Sequence, residues 1–276
     1  MTWVEVRVRC APLTHRDSIV AALVDAGAAG VQELDDELLT HLPTDADLDG
    51  VSAAVRASGS GTTLQCTQVG EIDSISRWPI RVGVQHVGRI AVAPPWLAHE
   101  IAGADIAIEI EPAMAFGTGE HETTRGVLCL MQDVVRYGDV VADLGAGSAV
   151  LSIAAAKLGA ARVAAIELDP VAIGNAEENV ERNGVGSVVT VIEGDAAIIL
   201  PLLAPVRVIL ANILSSVVLG LADVIRDSLA PGGHAIISGI LEIERDAVLA
   251  IFEAAGWRLA TELTEGEWWS GVIERR

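Results

Sequence analysis

The residues whose types and spacing promise chemistry begin with Val140-Val141-Ala142-Asp143-Leu144-Gly145-Ala146-Gly147-Ser148-Ala149, an apolar run that ends in an acid and two glycines. The run reads as a strand. Glycine after a strand lets a ligand reach the backbone, because there is no Cβ to collide with it. The next apolar run, Arg162 to Ile166, is followed by Glu167, whose carboxylate can accept hydrogen bonds from both ribose hydroxyls of a nucleoside. A lone Gly-x-Gly says little; strand, Gly-x-Gly, helix, strand and terminal acid in that order point to a nucleoside-binding turn. A dinucleotide fingerprint requires a third glycine at position 150, where Val150 stands. No G-x-x-x-x-G-K-[ST] loop is present and the one lysine, Lys157, falls inside the following helix, which speaks against an NTPase.

A second constellation, Glu111-Pro112-Ala113-Met114-Ala115-Phe116-Gly117-Thr118-Gly119-Glu120-His121-Glu122-Thr123-Thr124, sets glycines and threonines just before a helical pattern. Such a loop can close over a ligand at a helix N-terminus, where backbone N–H groups favour a carboxylate. Phe116 either covers a ligand or packs in the core. His121 reads as a general base, a metal ligand or a structural hydrogen-bonding residue; no second ligand stands at useful spacing, so no metal site is expected. A third constellation puts Asn212 at the end of the apolar run Val206 to Leu210 and its extension. Its side-chain carbonyl can hold an amine and orient its lone pair, or the residue can cap the helix that follows. Asp195, after the strand Val188 to Ile192, can reach an adenine amino group or cap a turn. Asp169-Pro170 reads as an N-cap with proline at the first helical position, and Trp268-Trp269 as core packing.

These residues need elements to carry them. From about Pro112 strands alternate with helices: helix Thr123 to Arg136, strand Val140 to Leu144, helix Val150 to Leu158, strand Arg162 to Ile166, helix Pro170 to Asn183 and strand Val188 to Ile192. The pattern continues with strand Val206 to Leu210, helix Val217 to Leu229, strand His234 to Ser238 and helix Glu242 to Ala255. Alternation of this kind implies a parallel sheet covered on both faces. The last two strands, Arg258 to Leu263 and Trp268 to Glu274, are joined by a short turn and must pair antiparallel. Upstream, Trp3 to Arg9, Asp17 to Ala26, Val31 to Leu34, Leu38 to Leu42, Asp49 to Ala57 and Leu64 to Val69 read as strand, helix, strand, strand, helix and strand, a small split βαβ module. Short β-like pieces at Ile80 to Val84, Val87 to Val92 and Ile106 to Ile110 form a connector expected to dock onto the second domain.

Composition bounds the rest. With 276 residues, 51% of them hydrophobic and 20% charged, the chain can build a core for one large or two modest domains and is not disordered. A net charge of −20 disfavours non-specific binding to a phosphate backbone and suits a basic partner. The mean hydropathy of +0.46 raises the question of a membrane. The longest charge-free apolar stretch, Val208 to Ala222, is shorter than the roughly 20 residues a spanning helix needs and contains Asn212, Ser215 and Ser216. MTWVEVRVRC alternates apolar and charged residues, so no signal peptide is expected. Cys10, Cys66 and Cys129 are scattered without metal or disulfide spacing, and a cytoplasmic, monomeric protein is expected.

The runs PAMAFGTGEHETTR, DLGAGSAVLSIAAAKLGA, IELDP, NAEENVERNGV, ANIL and LAPGGHAIISGIL closely resemble the PrmA family, the bacterial methyltransferases of large-subunit ribosomal protein eleven. The resemblance runs from about Ile90 to the C-terminus. It implies a class I methyltransferase that uses S-adenosyl-L-methionine (SAM): a Rossmann-like seven-stranded sheet with an antiparallel C-terminal hairpin, preceded by a small α+β ferredoxin-like domain. By that resemblance, residues 1–70 form a substrate-recognition domain, 71–111 a linker and 112–276 the catalytic domain. The implied reaction is methylation of lysine side chains and the α-amino group of one basic ribosomal protein, with no direct nucleic acid contact. The cofactor-binding residues carried over are Thr124, Gly145, Glu167 and Asn212, with Phe116, Gly117 and Thr118 lining the site; Gly147 and Asp195 join them from the residue reading, and Asn212 is the catalytic candidate. Two positions depart from the family pattern. Ala149 stands where glycine is usual, which adds a methyl group near the cofactor loop and raises weakened SAM binding as a possibility, and Glu167 replaces the commoner Asp. The rival readings are a related enzyme acting on another protein lysine or a small amine, and a SAM-binding protein with poor catalysis.

Overall fold

Val4, Val6 and Val8 alternate with charged residues along β1 (Trp3–Arg9), and all three valines are buried. The computed structural model describes residues 3–9, 19–20, 23, 26, 28, 32–33, 37–43, 46, 48–57, 63–69, 83–113 and 117–276. The chain divides into two compact units, Met1–Ile80 and Arg81–Arg276.

In the first unit β1 is central. It pairs antiparallel with β3 (Glu37–Pro43) on one side and β4 (Thr63–Val69) on the other, and β2 (Gln32–Glu33) extends the sheet beyond β3. Helix α1 (Leu48–Ala57) buries Val51 and Val55 in a cluster with the β1 valines, Leu38, Leu42, Ile19 and Leu23. The strand order β2-β3-β1-β4 is that of a split βαβ module. The helix expected from Asp17 to Ala26 lies largely outside the described residues; Ile19, Val20 and Leu23 are helical.

The second unit opens with a three-stranded sheet of β5 (Gln85–Val87), β6 (Ile90–Ala93) and β7 (Ile106–Glu109). Here the single strand expected over Val87 to Val92 is instead a hairpin. Gly88 takes φ +57, and Val87 pairs directly with Ile90. All of β6 is buried: Ile90 and Val92 face the main core, whereas Ala91 and Ala93 pack against Ile101 of the short helix α2 (Ala98–Ile101).

The main sheet has seven strands in the order β10-β9-β8-β11-β12-β14-β13. Its parallel members are β8 (Val140–Leu144), β9 (Arg162–Glu167), β10 (Val189–Glu193), β11 (Val206–Asn212) and β12 (Leu229–Leu241). The C-terminal strands β13 (Trp257–Glu265) and β14 (Trp268–Arg275) form the expected antiparallel hairpin, with β14 antiparallel to β12. Val141, Val208, Leu210 and Ile236 enter one hydrophobic cluster, whereas Leu144, Ile209, Ala211 and Ile237 enter another. Burial on both faces is why these strands read as continuous apolar runs.

The helices between them are α3 (Glu122–Val134), α4 (Val150–Lys157), α5 (Pro170–Arg182), α6 (Ala196–Leu203), α7 (Ser215–Gly220), α8 (Ala222–Ser228) and α9 (Arg245–Ala254). Helix α6 has no counterpart in the sequence reading: its AAIILPLL is apolar almost throughout and contains Pro201, so it shows no helical period. The helix expected over Val217 to Leu229 is two, broken at Leu221, where the φ/ψ of −95°/−3° and bonds from its N–H to Val217 and Val218 end the first.

Candidate functional site

Strands β8, β9 and β10 proceed outward in one direction, and the chain then returns to place β11 on the other side of β8. The carboxyl ends of β8 and β11 therefore flank the topological switch point, where open parallel sheets bind ligands. Gly145 follows β8 with φ +71, and a Cβ there would lie 2.6 Å from Ile213 Cγ2. The turn after β8 is thus pressed against the residue that follows Asn212. Gly147 also has positive φ, and its N–H donates to Glu167 Oε2 at 2.7 Å. The other carboxylate oxygen, Oε1, accepts from the N–H groups of Leu168 and Asp169 at 2.8 and 2.9 Å. Glu167 is therefore fixed against the glycine turn at the end of β9, and Oε2, with a single donor, keeps lone-pair capacity for a hydroxyl.

Beneath this turn lies Asp143, 1% exposed. Its Oδ2 accepts from Ser152 Oγ on α4 at 2.7 Å, and its Oδ1 is buried with no partner among the described residues. Burial pushes its pKa up to about 7; the Glu167 charge adds to the rise and the Ser152 hydrogen bonds oppose it. An orphaned acidic oxygen next to a glycine turn and a ribose-competent carboxylate form an acceptor set that fits a nucleoside bearing a cationic arm.

The opposite wall comes from the N-terminus of α3. Thr123 and Thr124 are buried, and Asn212 Nδ2 donates to Thr124 Oγ1 at 3.3 Å. Thr124 and Asn212, far apart in sequence, thus meet at the carboxyl end of β11. His121 caps α3, its Nδ1 accepting from Thr123 N at 3.3 Å and lying 2.8 Å from Thr123 Oγ1, with its ring edge-on to Trp268 at 5.0 Å. Arg125 binds Glu265 at the tip of the C-terminal hairpin at 2.7 Å. Gly117 takes φ +110, where a Cβ would stand 2.7 Å from Ser148 Oγ; Thr118 beside it is half-buried. Phe116 lies outside the described residues.

Two further acids cap helices. Asp195 is exposed and accepts from Ala197 N at 2.8 Å at the start of α6. Asp169 accepts from Val171 N at 2.9 Å ahead of Pro170 in α5. Trp269 is fully buried and donates to Glu262, whereas Trp268 is half-buried beside His121. The methyl of Ala149 points into the main core cluster, with the backbone at φ 65° and ψ 18°; its burden is backbone strain in the left-handed region. Lys157 donates to the Ala107 carbonyl at 2.6 Å, and burial lowers its pKa. Among the described residues no cluster of three or more His, Cys, Asp or Glu could hold a metal ion. The reading from sequence assigned no role to Asn175, Asn179, Asn183 and Ser148, which tie this loop system together. The signal was there: asparagines at i, i+4 and i+8 share one helix face.

A seven-stranded sheet with this order, a glycine turn after its first strand and an acid ending its second define a class I methyltransferase. Comparison with known proteins narrows the class. A family model described as ribosomal protein L11 methyltransferase (PrmA) matches residues 43–276. A ribosomal protein L11 methyltransferase of Thermus thermophilus is 37% identical over 254 residues, covering 91% of this chain and 92% of the relative. One from Pelotomaculum thermopropionicum is 38% identical over 219 residues, covering 76% and 68%. Among solved structures, the ribosomal protein L11 methylase of Lactobacillus delbrueckii subsp. bulgaricus matches with a TM-score of 0.63 and 26% identity, over 70% of this chain and 98% of that one. The chain belongs to the ribosomal protein L11 methyltransferase (PrmA) family. Family and fold imply SAM as the methyl donor, and the glycine turn, Glu167 and Asp143 fit that molecule.

Proposed function

We propose that the protein transfers methyl groups from SAM to lysine side chains and the α-amino group of ribosomal protein L11. The observation that supports this most directly is the meeting of Asn212 and Thr124 at the carboxyl end of β11, next to the glycine turn of β8. When bound, SAM supplies an electrophilic methyl group on a sulfonium that is already a good leaving group. In this reading Glu167 accepts from the ribose hydroxyls, and the Gly145 to Gly147 backbone admits the nucleoside. Thr124, Gly117 and Thr118 line the same space, and Asp195, which caps α6 through Oδ1, offers Oδ2 to the adenine amino group.

The chain's chemical task is then positioning. Asn212 commits its amide nitrogen to Thr124, which leaves Oδ1 as the acceptor for a substrate N–H. An amine held there turns its lone pair toward the methyl group. A free lysine has a pKa of about 10.4, so the site must receive it uncharged, and a partly dry crevice favours that form. Alignment at about 3 Å then supplies most of the rate.

The N-terminal unit is the part we assign to substrate recognition, with residues 71–111 as a connector whose strands β5 to β7 pack into the core of the second unit, and the catalytic residues over 112–276. A net charge of −20 suits a basic ribosomal protein and speeds its encounter more than it tightens the final contact. We place the enzyme in the cytoplasm as a monomer; among the described residues no helix is long and apolar enough to cross a membrane. The test is to incubate the purified protein with SAM and unmodified L11 and to record the intact mass of L11. Increments of one methyl group that require the enzyme support the proposal. An unchanged mass alongside normal SAM binding overturns the substrate assignment, and an unchanged mass without SAM binding overturns the cofactor assignment too.

A further inference from the structure

Asn179 is 0% exposed, and both ends of its amide are bonded. Its Oδ1 accepts from Glu111 N at 2.8 Å, and its Nδ2 donates to the Ser148 carbonyl at 3.1 Å. Ser148, 1% exposed, donates its Oγ to the Gly117 carbonyl at 2.6 Å. The bonds run from residue 111 through 179 and 148 to 117, and the covalent chain from 112 to 116 closes the ring. On either side Asn175 of α5 and Asn183, its C-terminal cap, continue the pattern. Asn183 accepts from Glu109 N at 3.0 Å and donates to Glu109 O at 2.6 Å, and Asn175 donates to Glu111 O at 3.2 Å. One helix face thus binds the backbone of residues 109 to 111 much as a neighbouring strand would.

A buried amide is a costly way to fill space. Leaving one end unsatisfied loses the whole hydration of that group, whereas a leucine of similar branching carries no such risk. What the amide contributes is direction: it fixes the relative positions of two loops that differ in sequence position by some thirty residues. One is the glycine turn that Glu167 braces. The other begins at Gly117 and leads through Thr118 to Thr124.

We propose that Asn179 and Ser148 are positioning residues for the cofactor: they hold the Gly117–Thr118 backbone at a set distance from the Gly145–Gly147 turn. The proposal rests on the SAM reading above and adds two residues that need not touch the cofactor. It is tested by calorimetric titration of SAM into the full-length wild type, S148A, N179L and the double variant, with melting temperatures measured alongside. S148A removes the hydroxyl link to Gly117 together with the longer bond, 3.4 Å, that the same oxygen accepts from Val150 N at the start of α4, and the melting temperature reads the latter. Its expected effect is a SAM affinity weakened roughly tenfold, the equivalent of one hydrogen bond, at an L11 KM within about twofold of wild type when SAM is saturating. Because both residues serve one circuit, the double variant should bind SAM no worse than the poorer single one. Wild-type affinity in S148A, or a double variant whose losses simply add, overturns the proposal. A wild type that fails to bind SAM removes the cofactor reading and the proposal with it. If N179L does not fold, S148A still decides the matter.

Discussion

Asp143 should make the catalytic unit less stable as the pH rises. The carboxyl is buried, with one oxygen bonded to Ser152 and the other orphaned, and its pKa stands at about 7 against an ordinary 3.8. The sign follows from linkage: between those two values the native state holds a proton that the unfolded chain has released, so stability falls with pH across the window and levels off above about 7. The full cost of ionising the group in the folded protein is on the order of 4 kcal/mol. Asn at this position keeps the shape and an acceptor for Ser152 and cannot ionise. The perturbation is therefore Asp143→Asn, and the informative quantity is the stability gap between variant and wild type. Most of the cost below pH 5.5 is common to both ends of an accessible titration, so from pH 5.5 to 8 the gap should widen by about 2 kcal/mol in favour of the variant and then stay flat. Urea unfolding followed by tryptophan fluorescence suits the purpose, because Trp257 and Trp269 are fully buried in this unit. Parallel stability curves for the two proteins would falsify the assignment of a raised pKa to Asp143. A gap that narrows with pH would mean that the ionised form is the better bonded one.

Three further outcomes are expected. Ala149→Gly relieves a left-handed backbone worth about 1–2 kcal/mol but loses a buried methyl worth about 0.8 kcal/mol and loosens the unfolded chain; urea unfolding should find stability within about 1 kcal/mol of wild type, and calorimetry a SAM affinity within about threefold. Gly145→Ala places a methyl 2.6 Å from Ile213 Cγ2 at φ +71, and should lower stability by about 1–3 kcal/mol and abolish detectable SAM binding. Adding Ile213→Ala should recover part of the binding if the clash dominates, and none if the backbone does. Asn212→Ala should cut kcat roughly 100-fold by misplacing the amine, a larger loss than the one in SAM affinity; unchanged turnover at saturating SAM and L11 would show that another group orients the nitrogen.

Much of this architecture can be read from residue order. Strands buried on both faces are continuous apolar runs, so Val140 to Leu144 and Val206 to Asn212 announce themselves, and glycines, Asp169-Pro170 and Asn183 mark where helices start and stop. What escapes is structure without a period or with its signal inside a longer one. Helix α6 is apolar on every side, and the hairpin at Gly88 sits within what looks like one strand, since the glycine there supports either a loop or a weak strand until Gln132 of α3 is seen to donate to Val87 and accept from Arg89.

The site divides along the same line. Gly145, Gly147, Glu167 and Asn212 are visible because each sits at a strand end, and the parallel fold sends every such end to one edge of the sheet. Asp195 sits at a strand end too, and there one carboxylate oxygen is bonded to Ala197 N, so the same short side chain caps a helix with one oxygen and keeps the other for a second donor. The Glu111–Asn179–Ser148–Gly117 circuit is the harder case. Each bond depends on a donor and an acceptor about 3 Å apart that the chain brings together from three separate elements, and no local preference for serine or asparagine encodes that match. The sequence carries only the helical spacing of Asn175, Asn179 and Asn183, which says that the three share a face and nothing about the strand they bind. Burial supplies the missing constraint: once Asn179 is enclosed, both ends of its amide must find partners, and the backbone of Glu111 and the carbonyl of Ser148 are the groups the fold brings within reach.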